Sequence, residues 1–249
     1  TLIGIHTDEV PPDPPPNPRK IGGITDAYQY AIEVLKRYEI WDEVPQSVRT
    51  YLLKADPRYD IIHSGELDGK PQYHFRVMGP EYMLNAARKK AEDLGVKAQI
   101  IAASLNDLET KDVAGVLAYM AREIELHGRP FKPPCILLCG GELVVTVGKA
   151  TGIGGRNQEF ALSTASIING TKNIVVASAD SDGTDGPSPA AGGLVDSHTT
   201  ERALEAGIDV FEELGNHNSY EALKRLEDNI ITGARGTNVR DLRVFYIGD

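Results

Sequence analysis

The stretch of residues 140–187 constrains the fold most, because glycine-rich and aspartate-rich segments there alternate with short apolar runs. Gly140 and Gly141 lie between the apolar residues 136–138 and 143–145, a spacing that predicts two strands joined by a tight turn. Polar loops that follow apolar strands are where α/β proteins place their ligands. We therefore look for a functional site in this stretch.

A glycine loop containing Gly152, Gly154 and Gly155 leads into Arg156 and an apolar helical run. Backbone N–H groups at a helix N-terminus are unpaired and attract anions, and an arginine adds a planar fork of donors. A tight turn without a ligand is the alternative interpretation. The loop lacks the P-loop pattern, and position 157 is asparagine where a dinucleotide fingerprint requires glycine.

An aspartate-rich segment with Asp180, Asp182 and Asp185 follows a predicted buried strand over residues 173–179. Three neighbouring carboxylates repel one another unless a cation or a basic side chain is present. The spacing does not fit an EF-hand, whose sixth position must be glycine. Mg²⁺ held by one or two carboxylates together with substrate phosphates fits better. The alternative is a turn in which aspartate side chains cap a helix.

The order of the predicted elements indicates an α/β protein. Strand and helix signals alternate over residues 73–127, which favours a largely parallel sheet with right-handed crossovers. The proline-rich residues 130–134 are a candidate domain boundary. We therefore expect residues 1–130 to be the end of a Rossmann-like parallel-sheet domain, and residues 131–249 to be a second α/β domain with a mixed sheet.

Composition narrows the range of functions. The net charge of −10 makes nucleic acid a poor partner, and no apolar run approaches the length of a membrane span. Cys135 and Cys139 lie roughly 13 Å apart if they share a strand, too far for a disulfide, which suits a reducing cytoplasm. The six histidines show no metal-ligand spacing on a helix, so they receive no role.

Three motifs resemble one known family. G-G-R-N-Q-E-F-A-L at residues 154–162, D-G-T-D-G-P at 182–187 and T-G-A-R-G-T-N-V-R-D-L at 232–242 resemble the MOFRL domain of type II glycerate kinases, a family also known as hydroxypyruvate reductases. The resemblance covers about residues 134–249 closely. Residues 10–130 resemble the end of the family's N-terminal domain more loosely, through V-P-P-D-P at residues 10–14 among others.

The resemblance implies ATP-dependent phosphorylation of D-glycerate, usually to 2-phosphoglycerate. For that reaction we assign Arg156 to contact the transferred phosphoryl group or the carboxylate of the acid, and Asp182 and Asp185 to bind Mg²⁺ or to orient the acceptor hydroxyl. The other predicted contacts to substrate or nucleotide are Gly140, Gly141, Glu142, Gly154, Gly155, Asn157, Thr184, Thr237 and Asn238.

The family also implies a cleft shared with an upstream domain or chain, and a homo-oligomer is possible. This sequence departs from the family pattern at several positions, including Asp180 where glycine is usual and Arg235 where threonine is usual. Two other functions stay open. One is an NAD(P)H-dependent hydroxypyruvate reductase, and the other is a binding or regulatory half without activity.

Overall fold

The last strand of the chain lies at the centre of a six-stranded sheet in a computed structural model of the protein. The structure describes residues 2–6, 27–61 and 68–249. Its contacts divide the chain into two units, Thr1–Phe75 and Arg76–Asp249.

The first unit contains helices α1 (Ala27–Arg37) and α2 (Gln46–Lys54), followed by a short 3-10 helix, Pro57–Tyr59. Strand β1 (Leu2–His6) pairs with β2 (Gln72–Arg76), whose last residue begins the second unit. Helices α1 and α2 pack through Tyr28 and Tyr51, whose rings meet edge to face at 5.9 Å. The V-P-P-D-P motif at residues 10–14 lies outside the described residues.

The second unit is an α/β layer structure. Its strands are β3 (Lys97–Ala102), β4 (Cys135–Gly141), β5 (Ile174–Asp180), β6 (Gly192–Asp196), β7 (Asn229–Ile230) and β8 (Asp241–Ile247). Its helices are α3 (Pro80–Asp93), α4 (Thr110–His127), α5 (Arg156–Ile168), α6 (Thr199–Glu205), α7 (Val210–Gly215) and α8 (Ser219–Arg225). No helix among the described residues is long and apolar enough to cross a membrane.

The sheet has the order β3-β4-β8-β5-β6-β7. Only β3 and β4 pair in parallel, and β8 runs antiparallel between β4 and β5. The prediction of an α/β fold with a mixed sheet is confirmed. Because β8 runs against its neighbours, its first residue lies beside the last residues of β4 and β5, which brings Gly141, Asp241 and Asp180 into one row.

Alternation along the strands buries both faces of the sheet. Leu137 in β4 and Phe245 in β8 belong to the main core, which lies under α4 and α5. Leu138 belongs to a smaller core on the other face, where Leu84 of α3 covers the sheet. Helix α5 is buried along most of its length, so its N-terminus is held firmly over the ends of the central strands.

Three features differ from the sequence-based expectations. The predicted hairpin through Gly140 and Gly141 is wrong, because these residues end β4 beside β8, while Val144 forms a parallel bridge with Glu109. Strand β6 and helix α7 were not predicted. The expected division at residues 130/131 also differs from the contact-based division after Phe75, because β3 belongs to the same sheet as β4.

Candidate functional site

Three loops that are far apart in sequence meet at one end of the central strands: the glycine loop (residues 152–155), the aspartate loop (residues 180–187) and the C-terminal loop (residues 232–240). The backbone N–H of Arg235 donates to the carbonyl of Asp182 at 2.5 Å. Gly183 has a φ of +91°, and a Cβ there would collide with the carbonyl of Gly233. The three motifs noted in the sequence therefore form one contiguous region.

Arg156, the first residue of α5, is the centre of an ion-pair cluster. Its Nε and Nη2 donate to the two carboxylate oxygens of Asp241 at 2.8 and 2.9 Å, and Nη2 also donates to Asp180 at 2.5 Å. Nη1 lies 3.4 Å from a carboxylate oxygen of Glu142, which is half exposed. The guanidinium thus braces the ends of β5 and β8 and directs Nη1 toward the more exposed side of the cluster.

A second arginine lies under the first. Arg243 in β8 is fully buried, and its Nη2 donates to Asp241 at 2.7 Å while its Nη1 donates to the carbonyl of Gly141 at 3.2 Å. Its guanidinium carbon lies 5.2 Å from the centre of the Phe160 ring, which is a cation–π distance. Asp241 therefore takes charge-assisted hydrogen bonds from two arginines, which accounts for a buried carboxylate in a central strand.

Burial and the neighbouring charges shift the pKa values of Asp180 and Arg156. Burial raises the pKa of the Asp180 carboxyl to about 6, and the nearby charge of Asp241 adds to this effect, while Arg156 and a backbone hydrogen bond from Asp182 oppose it. Burial lowers the pKa of Arg156, but the hydrogen bond and charge of Asp241, together with other carboxylates, outweigh burial and leave the pKa raised. The guanidinium therefore stays charged.

Asp185, predicted to bind metal or act in catalysis, lies buried at the N-terminus of α5, with 1% of its surface exposed. Its carboxylate accepts from the backbone N–H groups of Asn157 and Gln158, at 3.1 and 2.9 Å, and from both of their side-chain amides. Burial raises its pKa, and these hydrogen bonds oppose the rise. A Cβ at Gly155 would collide with this carboxylate. This geometry is a helix cap, the alternative that the sequence left open.

Asn157 is likewise fully buried. Its side-chain carbonyl accepts from the Ser178 hydroxyl at 2.6 Å, while its amide group donates to Asp185 at 3.3 Å. The side chain links α5 to β5 and to the aspartate loop. The structure therefore gives Asn157 a supporting position below the loops, with both ends of its amide already paired.

Asp182 and Thr184 lie nearer the surface of the aspartate loop. One carboxylate oxygen of Asp182 accepts from the backbone N–H and the hydroxyl of Thr184, at 2.8 and 3.0 Å. Thr237 and Asn238 are exposed in the C-terminal loop, where the Asn238 side chain accepts from the backbone N–H of Arg240. Asp182 and Asn238 thus each accept from the backbone N–H two residues ahead, which makes a local turn.

The two predicted magnesium ligands, Asp182 and Asp185, differ in how many of their carboxylate oxygens are already paired. Across the described ranges, no group of three or more His, Cys, Asp or Glu side chains is arranged to hold a metal ion. Both oxygens of Asp185 are occupied by the helix cap, so Asp185 does not fit a ligand. Asp182 retains one carboxylate oxygen outside its turn, so it fits at most a single contact to an ion held mainly by other groups.

A pocket of about 480 Å³ opens beside the cluster. Of the predicted site residues, Glu142, Gly154, Gly155 and Arg156 line it. Gly140 and Gly141 do not, and a Cβ on Gly141, whose φ is +118°, would collide with the backbone of Leu105. That glycine serves close packing between β4 and the segment after β3. The glycine loop and the residues after β4 thus form much of the pocket wall.

The pocket is also lined by Glu159 and His217, which were not predicted. His217 Nδ1 lies 2.8 Å from Oε2 of Glu159, a carboxylate that is almost fully buried. Burial raises the pKa of Glu159, and His217 opposes the rise. The two residues are 58 positions apart. No local pattern in the sequence marks them as a pair.

The part of the chain that contains these loops also matches known proteins. Residues 135–241 match the model of the MOFRL family. A glycerate 2-kinase of Pyrococcus horikoshii is 39% identical over 220 residues, which are 88% of this chain and 49% of that protein. A protein of Agrobacterium vitis with the provisional name hydroxypyruvate reductase is 34% identical over 250 residues, which are 99% of this chain and 55% of that protein.

A solved structure agrees with these relatives. The crystal structure of a glycerate kinase from Thermotoga maritima matches this chain with a TM-score of 0.68 and 36% sequence identity. The match covers 90% of this chain and 51% of that chain. This chain therefore spans about half the length of the relatives it matches.

Proposed function

We propose, from the membership of residues 135–241 in the MOFRL family, that this chain contributes to a kinase that phosphorylates glycerate. The observation that carries the proposal is the 39% identity to a glycerate 2-kinase across 88% of the chain. ATP is the proposed phosphoryl donor, D-glycerate the acceptor and 2-phosphoglycerate the product. The convergence of the three motif loops supports a shared role for them.

The pocket beside Arg156 is the proposed binding place. Its volume of about 480 Å³ lies within the range of small-molecule sites. Nη1 of Arg156 is the donor least committed to the buried carboxylates, so it is the atom proposed to meet the phosphoryl group or the glycerate carboxylate. The half-exposed Glu142 would move away from Nη1 when an anion binds there.

Charge in this region is insufficient for phosphoryl transfer without other cations. Two arginines, Arg156 and Arg243, face three carboxylates from Asp180, Asp241 and Glu142. Phosphoryl transfer needs neutralisation of several negative charges on the nucleotide. We therefore propose that part of this positive charge comes from a further portion of the protein, on the same or another chain, and part from Mg²⁺ that enters with the nucleotide.

The test is glycerate-dependent release of ADP by the complete protein that carries residues 1–249. We expect saturable turnover with D-glycerate and ATP. We also expect mass spectrometry and NMR to identify the product as 2-phosphoglycerate. L-glycerate and hydroxypyruvate serve as acceptor controls. Absence of ADP release with every acceptor would refute the kinase proposal.

The reductase alternative is measured in parallel, since one relative carries that provisional name. Oxidation of NADH or NADPH with hydroxypyruvate is followed by absorbance. Reduction without any ADP release would replace the kinase by an oxidoreductase. If both activities are absent and titration calorimetry still shows heat of binding for glycerate, the result would favour a binding or regulatory half that has no catalytic activity.

A further inference from the structure

His217 and Glu159 form a carboxylate–imidazole pair on the wall of the pocket. A carboxylate only accepts hydrogen bonds, so Nδ1 carries the hydrogen of this pair. Among the described residues, the only hydrogen bond that the imidazole ring makes is the one at Nδ1. An imidazole held in this way has a fixed tautomer, and its second nitrogen is free to accept a proton.

The backbone around His217 is fixed by the glycine loop. The N–H of Gly152 donates to the carbonyl of Asn216 at 3.1 Å, and the N–H of Tyr220 donates to the carbonyl of Ile153 at 2.9 Å. The side chain of Asn218 accepts from the N–H of Ile153 at 3.0 Å. The segment 216–220 is thus fastened along the glycine loop on both sides of His217.

His217 itself has a φ of +51°, in the left-handed region that non-glycine residues seldom occupy. Such a conformation persists only where surrounding contacts impose it, and it is concentrated at functional sites. Here the fastened segment imposes it, and the result is that the imidazole meets Glu159. The arrangement holds one side chain at one place on the pocket wall.

The other acidic candidates for accepting a proton are less suited. Asp185 is buried in the helix cap, and Asp180 and Asp241 are bound by arginine. Glu142 lies 3.4 Å from Nη1 of Arg156, so its carboxylate is already paired at the place proposed for the anion. His217 is therefore the group on the pocket wall that combines a fixed position with a free basic atom.

We propose that His217, oriented by Glu159, is the general base that takes the proton of the acceptor hydroxyl in the reaction. The inference rests on the proposed kinase function. The hydroxyl oxygen forms a bond to the γ-phosphorus of a nucleoside triphosphate as the bond from that phosphorus to the β–γ bridging oxygen breaks. The nucleoside diphosphate leaves with the electron pair, and the hydroxyl proton passes to Nε2 of His217.

Other charged groups surround this pair and belong to the pH dependence. Glu109 and Lys111, at the start of α4, act electrostatically on Glu159 with opposite signs. Glu142 and Arg156 share the pocket. These groups carry charges of both signs and lie on different elements, so each can affect the pH dependence of the rate. A feature of the pH profile is therefore attributed to His217 only if it changes in a variant of His217.

The deciding variant is His217→Asn, measured in the complete protein that carries this chain. Asparagine tolerates the left-handed region and keeps a donor toward Glu159, but it has no basic atom in place of Nε2. We expect kcat to fall by about 10²–10⁴-fold, while the binding of glycerate in calorimetry changes by less than about threefold. The acidic limb of the wild-type rate profile should disappear, because the variant has no base that must lose a proton before the reaction.

The matched control is His198→Asn. His198 is an exposed histidine whose Nδ1 lies 3.2 Å from Glu201, so it is also a histidine–glutamate pair, but it does not line the pocket. This variant should keep wild-type kcat and pH profile. Glu159→Gln should lower kcat less than His217→Asn does and shift the acidic limb, because the imidazolium loses its stabilising carboxylate.

The outcomes separate the two proposals. If wild-type protein releases ADP with glycerate and His217→Asn keeps kcat and the acidic limb, the base assignment is overturned and the kinase proposal stands. Loss of glycerate binding together with kcat also overturns it, since that result means that His217 only shapes the pocket. If His217→Asn does not fold, the Glu159→Gln profile decides, and an unshifted acidic limb rejects the pair.

Discussion

Arg156 holds Asp241 through two parallel hydrogen bonds, although the two residues are 85 positions apart. The first follows the glycine loop, and the second lies near the end of the C-terminal motif, as the first residue of β8. Their contact joins two motifs and closes the end of the central strands.

Arg156→Lys should reduce both stability and activity. A lysine cannot reproduce the planar fork that spans both oxygens of Asp241, so the pair is left with one contact at most. We expect about 2 kcal/mol less unfolding free energy by urea denaturation, and a ~10²–10³-fold lower kcat/KM in the coupled ADP assay.

The control for that variant is Arg202→Lys. Arg202 makes a similar two-pronged contact to Asp228, at 3.1 and 2.9 Å, in a part of the unit that does not line the pocket. It should lose stability but keep kcat/KM. Equal kcat/KM for Arg156→Lys and the wild type would assign Arg156 a purely structural role.

Asp185→Asn should destabilise α5 without changing the Mg²⁺ requirement. Asparagine has one acceptor oxygen, so it satisfies only part of the cap that the carboxylate makes with Asn157 and Gln158. The expected loss is about 1–2 kcal/mol, measured by thermal and urea unfolding.

Asp182→Asn is the comparison, because Asp182 lies nearer the surface and keeps one oxygen outside its turn. If either aspartate contacts a nucleotide-borne Mg²⁺, only Asp182→Asn should raise the Mg²⁺ concentration for half-maximal rate. A raised requirement in Asp185→Asn would restore Asp185 as a ligand and contradict the cap.

Asp180 should make part of the stability depend on pH. Burial raises the pKa of its carboxyl to about 6, above the value of about 3.9 in an unfolded chain. Between these values the folded state binds more protons than the unfolded state, so this contribution to stability is lost as pH rises from about 4 to about 6. It is of the order of 3 kcal/mol.

The measurement is the difference in unfolding free energy between wild type and Asp180→Asn, taken at several pH values from 4.5 to ~7. Loss of the contact to Arg156 shifts this difference by the same amount at every pH. The way the difference changes with pH therefore reports on the titration of Asp180 alone. The wild type should gain on the variant as pH falls. A difference that is independent of pH would mean that Asp180 titrates normally.

Gly155→Ala should be poorly tolerated. An added methyl group would collide with the carboxylate of Asp185, so the cap and the glycine loop must separate. Overpacking of this kind costs about 1–3 kcal/mol. Gly115→Ala in α4 is the control, because its nearest neighbour would lie at an ordinary 3.9 Å and alanine favours helix, so it should be neutral or stabilising. Similar thermal stability of both variants would contradict the close approach.

Much of the fold was accessible from local patterns. The strand of residues 97–102 and the long helix that ends before Gly128 follow from the alternation and the 3.6-residue periodicity of their apolar positions. Those signals depend on neighbours a few residues away, which the sequence displays directly. The three motifs in their order were also sufficient to suggest the family that residues 135–241 match.

Only the tertiary structure decided how these elements meet. Strand β8 is last in the chain but enters between β4 and β5, and this single long-range pairing places Asp241 beside Arg156 and gives buried Arg243 its partners. Gly141 resembled a hairpin glycine, whereas its conformation serves an approach to Leu105.

The same distinction applies to the site, where some features are local in sequence and others arise only on folding. The sequence determined that Arg156 and a group of aspartates would follow strands or open a helix, because those positions are local. It did not determine which aspartate is buried as a cap, or that His217 would meet Glu159 across 58 residues. Whether a charged group is buried, and which groups it pairs with, depends on elements that folding brings together. No short stretch of sequence contains that information.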